Sequence, residues 1–430
     1  MQRLSREWFM MRKERMLFAR LSIYRGLLAD PVIRDLVGLL DIVGEEEFNL
    51  LEAVDASHRL IFALSAGGRS FKEHLLNLVL HDENAFSREA EVKEYTNIKP
   101  VLLKTVRNDL EILQKLYHLD FAGIDEMIDS GKERLAEICD GPVPTLKPDS
   151  FAARLVVSTA WGEEIESLYR HYHSNGSGLV SRYRALRWEG NPVGLVGISC
   201  PDPVGLNDLI GYNSQKQQIC INTEQFLKGY PANNVLLYGS RGTGKSTMVK
   251  ALLNEYGEQG LRLVELTCED LESLPEVIAL LRGHAQKYII FVDDLSFEDY
   301  ETRYKGLKAA LEGSLTARPD NILIYATSNR RHLVREYHSD RNAPLDDEIH
   351  TWDTMQEKLS LSDRFGLTIT FPSPTQQLYL EIVEKLIEER GLTLDPELVR
   401  RSALAWERSH HGPSGRTARQ FVDSLGDGNV

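Results

Sequence analysis

What this sequence lacks narrows its chemistry before any motif is read. Its 430 residues hold only four cysteines, Cys139, Cys200, Cys220 and Cys268, and none forms a C-x-x-C pair. That scatter offers neither a zinc site nor a disulfide framework, and it suits a reducing, cytoplasmic setting. No apolar run approaches the eighteen or so residues of a membrane span, so no membrane partner is expected. Positive charge is also short: 50 Lys and Arg against 64 Asp and Glu leave a net charge of −14. This argues against broad, non-specific nucleic-acid binding but leaves room for a local basic patch. The guanine motif N-K-x-D is missing. His58, His74, His81, His171 and His173 follow no ligand spacing and read as surface or core residues.

The remaining composition is that of an ordinary soluble protein, with 42% hydrophobic and 27% charged residues, and the length gives room for two or three domains. The first 25 residues are basic (Arg3, Arg6, Arg12, Lys13, Arg15, Arg20, Arg25), but Glu7 and Glu14 interrupt them and no apolar leader follows. A solvated amphipathic helix is expected there rather than a transit peptide. Residues 1–190 read as a mainly helical domain, with apolar residues at helical spacing in Glu47–Val54 and Val101–Leu110 and a break at Gly67-Gly68. A boundary is expected over 188–205, where Trp188-Glu189-Gly190-Asn191-Pro192 and Pro201-Asp202-Pro203 concentrate interrupting residues.

Beyond the boundary, strands and helices alternate. Val235–Tyr238, Leu261–Leu266, Tyr288–Val292, Asn321–Ala326 and Leu367–Phe371 read as strands. Leu274–Arg282 and Tyr304–Leu315 read as helices. This implies an α/β core with a parallel sheet covered by helices on both faces, over 196–372. A helical segment over 373–430 follows, broken at Gly391 and Gly412-Pro413.

The chemistry gathers at Gly239-Ser240-Arg241-Gly242-Thr243-Gly244-Lys245-Ser246, which fits G-x-x-x-x-G-K-S/T between a strand and a helix that opens with Thr247. Glycines let the backbone wrap a phosphate and aim successive N–H groups at it, and the new helix adds its positive end. Lys245 is expected on the β- and γ-phosphates and the Ser246 hydroxyl on Mg²⁺. Asp293-Asp294 ends the apolar strand Tyr288–Val292 and brings carboxylates to the same sheet edge, with Asp293 the expected Mg²⁺ ligand. Two acids in that place are also what a solvated strand end looks like.

Together these motifs resemble the AAA+ ATPases, over about residues 196–430. The resemblance implies an αβα P-loop core with a C-terminal helical lid, preceded here by the helical N-terminal domain. It also implies ATP and Mg²⁺ as cofactors and a homo-oligomer that places ATP at a subunit interface. Asn329, in Tyr325-Ala326-Thr327-Ser328-Asn329, matches sensor 1, which places the attacking water. Arg364, in Leu361-Ser362-Asp363-Arg364-Phe365-Gly366, matches the arginine finger given to a neighbour. Arg416 matches sensor 2, with Arg419 the alternative, and Leu209, Ile210 and Gly211 match the adenine-side segment.

One position departs from the pattern. The second acid is Asp294 where the family carries Glu, so either Asp294 or Glu298 polarises the water, and slow or switch-like use of ATP stays open. Asn233–Gly239, Asp293–Phe297 and Ala326–Leu333 are further similar to an uncharacterised bacterial group of AAA+ proteins described as ATP-binding. The implied function is an ATPase that remodels a macromolecular client, protein or nucleic acid. The alternative is an ATP-switched adaptor or loader, resembling helicase loaders, in which Arg330-Arg331-His332 and the basic N-terminus meet nucleic acid. A GTPase or small-molecule kinase is disfavoured because N-K-x-D is absent.

Overall fold

The computed structural model describes residues 4–128, 135–141, 150–190, 193–295, 307, 311, 319–329, 364–410 and 412–426. The chain divides into two compact units, Met1–Arg182 and Tyr183–Val430.

Every described element of the first unit is helical, and the sequence marks many of the ends. Leu4–Arg20 is the expected N-terminal helix, and it buries Met11 and Phe18. Asp30 caps Pro31–Val43 by accepting from the amides of Val32 and Ile33, with Pro31 fixing the first turn. The apolar run read over Glu47–Val54 begins as helix only at Leu50, because the Asn49 side chain accepts from the Leu51 amide. That helix ends at Gly67, and Gly68 takes the left-handed conformation (φ 62°) that closes it. The core is aliphatic and aromatic: Leu36, Leu60, Leu75, Leu110, Leu113 and Trp161 are essentially inaccessible. Four of the histidines bond to distant parts of the same unit, His74 to Asp30, His81 to Ser181, His171 to the Leu80 carbonyl and His173 to that of Ala90.

The second unit is built on a seven-stranded sheet in the order β2-β1-β4-β5-β6-β3-β7. The strands are β1 (Ala185–Gly190), β2 (Val193–Ile198), β3 (Val235–Gly239), β4 (Leu261–Leu266), β5 (Lys287–Val292), β6 (Ile322–Ser328) and β7 (Leu367–Phe371). All neighbours run parallel except β1 and β2. The order β4-β5-β6-β3-β7, all parallel and with helices after it, is the α/β core with a C-terminal helical segment that the sequence led one to expect.

The five core strands fall where the apolar runs place them, whereas β1 and β2 were not expected. The stretch that reads as an interruption instead carries an antiparallel pair, and β1 joins β4 in parallel. The division of the chain therefore lies ahead of Tyr183, before the interrupting residues rather than within them. Val235, Leu237, Ile289, Leu323 and Tyr325 form one face of the sheet and pack with Ile219, Met248 and Leu252 of the helices Asn213–Leu227 and Lys245–Tyr256. Their neighbours Leu236, Ile290 and Ile324 turn to the other face, as a period of two requires.

Three helices close the chain, Gln376–Glu389, Pro396–Ser409 and Gly415–Ser424, around a small core of Tyr379, Val383, Ala403, Phe421 and Val422. Gly391 and Gly412 adopt left-handed backbone between them, at φ 66° and 84°. Of the helix expected over Tyr304–Leu315, only Leu307 and Leu311 lie within the described residues. Among the described residues no helix is long and apolar enough to cross a membrane.

Candidate functional site

Parallel register decides which side chains meet. Tyr238 lies beside Ser328, and Val292 beside Ala326, so β3, β5 and β6 all end at one edge. The phosphate loop leaves β3 there, Asp293 follows β5, and Asn329 follows β6. The strand first in the core sequence, β3, sits between β6 and β7. That crossover makes the crevice in which open α/β sheets bind ligands.

Gly239 opens the loop where no side chain fits, since a Cβ would lie 1.9 Å from the Phe371 carbonyl oxygen. Gly242 and Gly244 take φ of 74° and 88°, which L side chains rarely adopt. Gly244 precedes the helix Lys245–Tyr256 without a capping side chain, so the first-turn amides are left for a ligand. Lys245 is 6% exposed and its Nζ donates to the carbonyls of Gly239 (2.9 Å) and Ser240 (2.8 Å) and to Asn329 Oδ1 (3.0 Å). Burial lowers its pKa. Asp294 and Asp293 push the other way, and Arg241 and Arg416 add to the lowering.

The carboxylates continue the network. Ser246 Oγ donates to Asp293 Oδ1 at 2.6 Å, and the Thr327 hydroxyl donates to the same oxygen. The Asp294 amide donates to Thr327 Oγ1 (2.9 Å) and to Asp293 Oδ1 (3.1 Å), while Asn329 Nδ2 donates to Asp294 Oδ1 (2.6 Å). Asp294 itself has φ 51°, a left-handed backbone. Lys245, Ser246, Asp293, Asp294, Thr327 and Asn329 are thus linked by hydrogen bonds along the sheet edge.

They form one wall of a cavity of about 680 Å³. Arg241, Gly242, Thr243, Gly244 and Thr247 continue that wall. Val204, Asp208, Leu209, Ile210 and Tyr212 line a second side, and Ile382, Leu386, Gly415, Arg416 and Arg419 come from the C-terminal helices. Ligand sites of small-molecule size span roughly 300–1,000 Å³, so the volume suits a nucleotide. The donor set suits a hard cation: Ser246 Oγ and Asp293 Oδ1 are both oxygens. Among the described residues no three of His, Cys, Asp and Glu cluster as a metal cage. Mg²⁺ needs no such cage, because it keeps water and takes phosphate oxygens with one or two protein ligands.

The expected residues are therefore mostly together. Both Arg416 and Arg419 line the cavity, so its lining does not choose between them. Gly239, Ser240 and Gly211 do not line it: the carbonyls of the first two accept from Lys245, and a Cβ on Gly211 would strike Leu378. Arg364 does not line it. It precedes β7, whose far end, Phe371, is level with Gly239. Glu298, Arg330, Arg331 and His332 lie outside the described residues. Sequence reasoning gave no role to Thr327 or to Ile382 and Leu386. The signal for Thr327 was its place two residues before Asn329, at the end of the apolar strand.

Known proteins resemble this chain in part. The family model described as "Protein of unknown function (DUF815)" matches residues 181–428. The replication factor C large subunit of Methanococcus vannielii is 35% identical over 83 residues, 19% of this chain and 16% of that protein. Its counterpart from Staphylothermus marinus is 34% identical over 101 residues, 22% of this chain and 23% of that one. A probable spastin homolog from Brugia malayi is 22% identical over 228 residues, 47% of this chain and 45% of that one. The chain thus spans between 16% and 45% of the length of these relatives. Among solved structures, the Thermotoga maritima RuvB Holliday junction branch migration motor is 13% identical, with a TM-score of 0.32, over 53% of this chain and 74% of that one.

Proposed function

The chain belongs to the family described as a protein of unknown function, DUF815, and on that premise we propose that it is an ATPase whose turnover remodels a macromolecular client. The observation that carries this reading is the linked set Lys245, Ser246, Asp293, Asp294, Thr327 and Asn329 at the mouth of the phosphate loop. Loop amides and Lys245 bind the β- and γ-phosphates, and the apolar side chains Leu209, Ile210, Ile382 and Leu386 enclose the adenine side. Ser246 and Asp293 would hold Mg²⁺, which would supply charge neutralisation at the phosphate oxygens. Asn329 and Asp294 orient a water whose oxygen attacks the γ-phosphorus. The bond to the β-phosphate oxygen breaks, ADP leaves, and the water's proton passes through Asp294 to the released phosphate.

Arg416 or Arg419 contacts the phosphates from the lid, and Arg364 completes the site of a neighbouring copy in a cytoplasmic homo-oligomer. The helical unit, Met1–Arg182, selects the client. Calorimetry with ATP and Mg²⁺ tests the reading: saturable binding that Lys245→Ala abolishes supports it, and a flat titration of folded protein ends it.

One observation favours a second reading, an ATP-switched adaptor or loader with slow hydrolysis. Asp294 is shorter than the usual glutamate and its carboxylate is already engaged by Asn329. ATP binding would then order the assembly and hydrolysis would reset it. Retention on single-stranded DNA that needs ATP and falls with salt would select this reading; the net charge of −14 weighs against it.

A further inference from the structure

One hydroxyl touches both acids that end β5. Parallel pairing of β5 with β6 ends at Val292 and Ala326, and Asp293 and Thr327 are the residues that follow them in the chain. Thr327 Oγ1 donates its proton to Asp293 Oδ1 and accepts the Asp294 amide at 2.9 Å. The Leu295 amide then returns to the Thr327 carbonyl at 2.7 Å, so the turn after β5 is stitched to β6 on both sides of Asp294. Within that turn Asp294 has φ 51°. The left-handed region is unfavourable for an L residue, and Asp tolerates it better than longer or branched side chains do.

We propose that Thr327 is a positioning residue for nucleotide hydrolysis, holding Asp293 on the Ser246 side and Asp294 in the left-handed turn that delivers its carboxylate to Asn329. This rests on the hydrolytic reading above. It also accounts for the short acid. A left-handed backbone re-aims the side chain, so an aspartate reaches from here, whereas a glutamate in the same turn overshoots Asn329 and loses the local tolerance that Asp brings. The short acid at 294 and the hydroxyl on β6 form one device.

Thr327→Val keeps the shape and β-propensity of the side chain and removes only the hydroxyl. The expected result is a fall in kcat of about 10- to 100-fold, the scale of a misplaced reacting group, with KM for ATP moving less than about threefold. A second readout avoids turnover altogether. Calorimetry of ATP with and without Mg²⁺ should show the affinity gained from Mg²⁺ shrinking in Thr327→Val, while metal-free ATP affinity stays as in the wild type. Thr327→Ser, which restores the hydroxyl, should recover most of both losses, and Asp294→Glu should lower turnover rather than raise it.

The inference is overturned if Thr327→Val keeps wild-type kcat and Mg²⁺ gain. It is equally overturned if serine is as impaired as valine, if Asp294→Glu is faster than the wild type, or if Thr327→Val loses metal-free ATP binding. Failure of the underlying reading looks different, because the wild type itself would neither bind nor hydrolyse ATP.

Discussion

Gly239 shows how tightly the loop is specified at the level of one residue. A methyl there would meet the Phe371 carbonyl at 1.9 Å, and a backbone atom cannot swing aside as a side chain can. Gly239→Ala is therefore expected to lower stability by at least about 1–3 kcal/mol, read as a lower melting temperature without nucleotide. An unchanged melting temperature would mean that β7 is free to shift. Lys245 responds differently. Its Nζ holds Gly239, Ser240 and Asn329 together, so Lys245→Ala should remove ATP binding and also loosen Asn329. These residues were legible in the sequence because the motif is contiguous, each type forced by local geometry or charge. Thr327 was not, since its value depends on β5 and β6 pairing with a particular register, and register is a tertiary fact.

At the scale of elements, long apolar runs were readable and short pairs were not. Tyr288–Val292 announces a buried strand by continuous hydrophobicity, while Trp188-Glu189-Gly190-Asn191-Pro192 carries the breakers of a loop. Yet Ala185–Gly190 is a strand because β4 and β2 supply partners on either side. The helix Leu4–Arg20 offers a pH test of its own. Burial, reinforced by nearby Asp120, pushes the Glu14 carboxyl up to about 7, although the Asp120 amide opposes the shift. Among the described residues its Oε2 finds no hydrogen-bond partner.

An acid whose folded pKa is raised holds its proton more tightly folded than unfolded. Between the ordinary value of 4.5 and about 7, stability therefore falls as pH rises. Glu14→Gln mimics the protonated form. It should match the wild type in melting temperature near pH 5 and exceed it at pH 8. Equal curves at both pH values would show that the carboxyl is already well solvated.

Across the whole molecule, the sheet separates the phosphate loop from the arginine proposed as the finger. The phosphate loop leaves the C-terminal end of β3, whereas Arg364 precedes the N-terminal end of the parallel neighbour β7. At about 3.3 Å per strand residue, the four steps from Leu367 to Phe371 alone set the start of β7, which Arg364 precedes, roughly 13 Å back along the sheet from Gly239. This supports the proposal that Arg364 serves the phosphate of another copy, through a head-to-tail interface. The sequence could name the arginine by its place in the motif series, but only the strand direction says that it lies at the opposite end of β7 from its own phosphate loop.

The consequence can be measured without knowing the client. Arg364→Ala should bind ATP with near wild-type affinity and lose turnover by a factor of thousands, the scale of an arginine finger supplied in trans. Lys245→Ala should be equally inactive because it binds no ATP. Mixed in equal amounts, the two inactive variants should recover part of the wild-type rate, since a Lys245→Ala copy still offers its Arg364 to the intact loop of an Arg364→Ala copy. A mixture that stays silent while co-assembly is demonstrated by sizing would place the arginine outside the reaction.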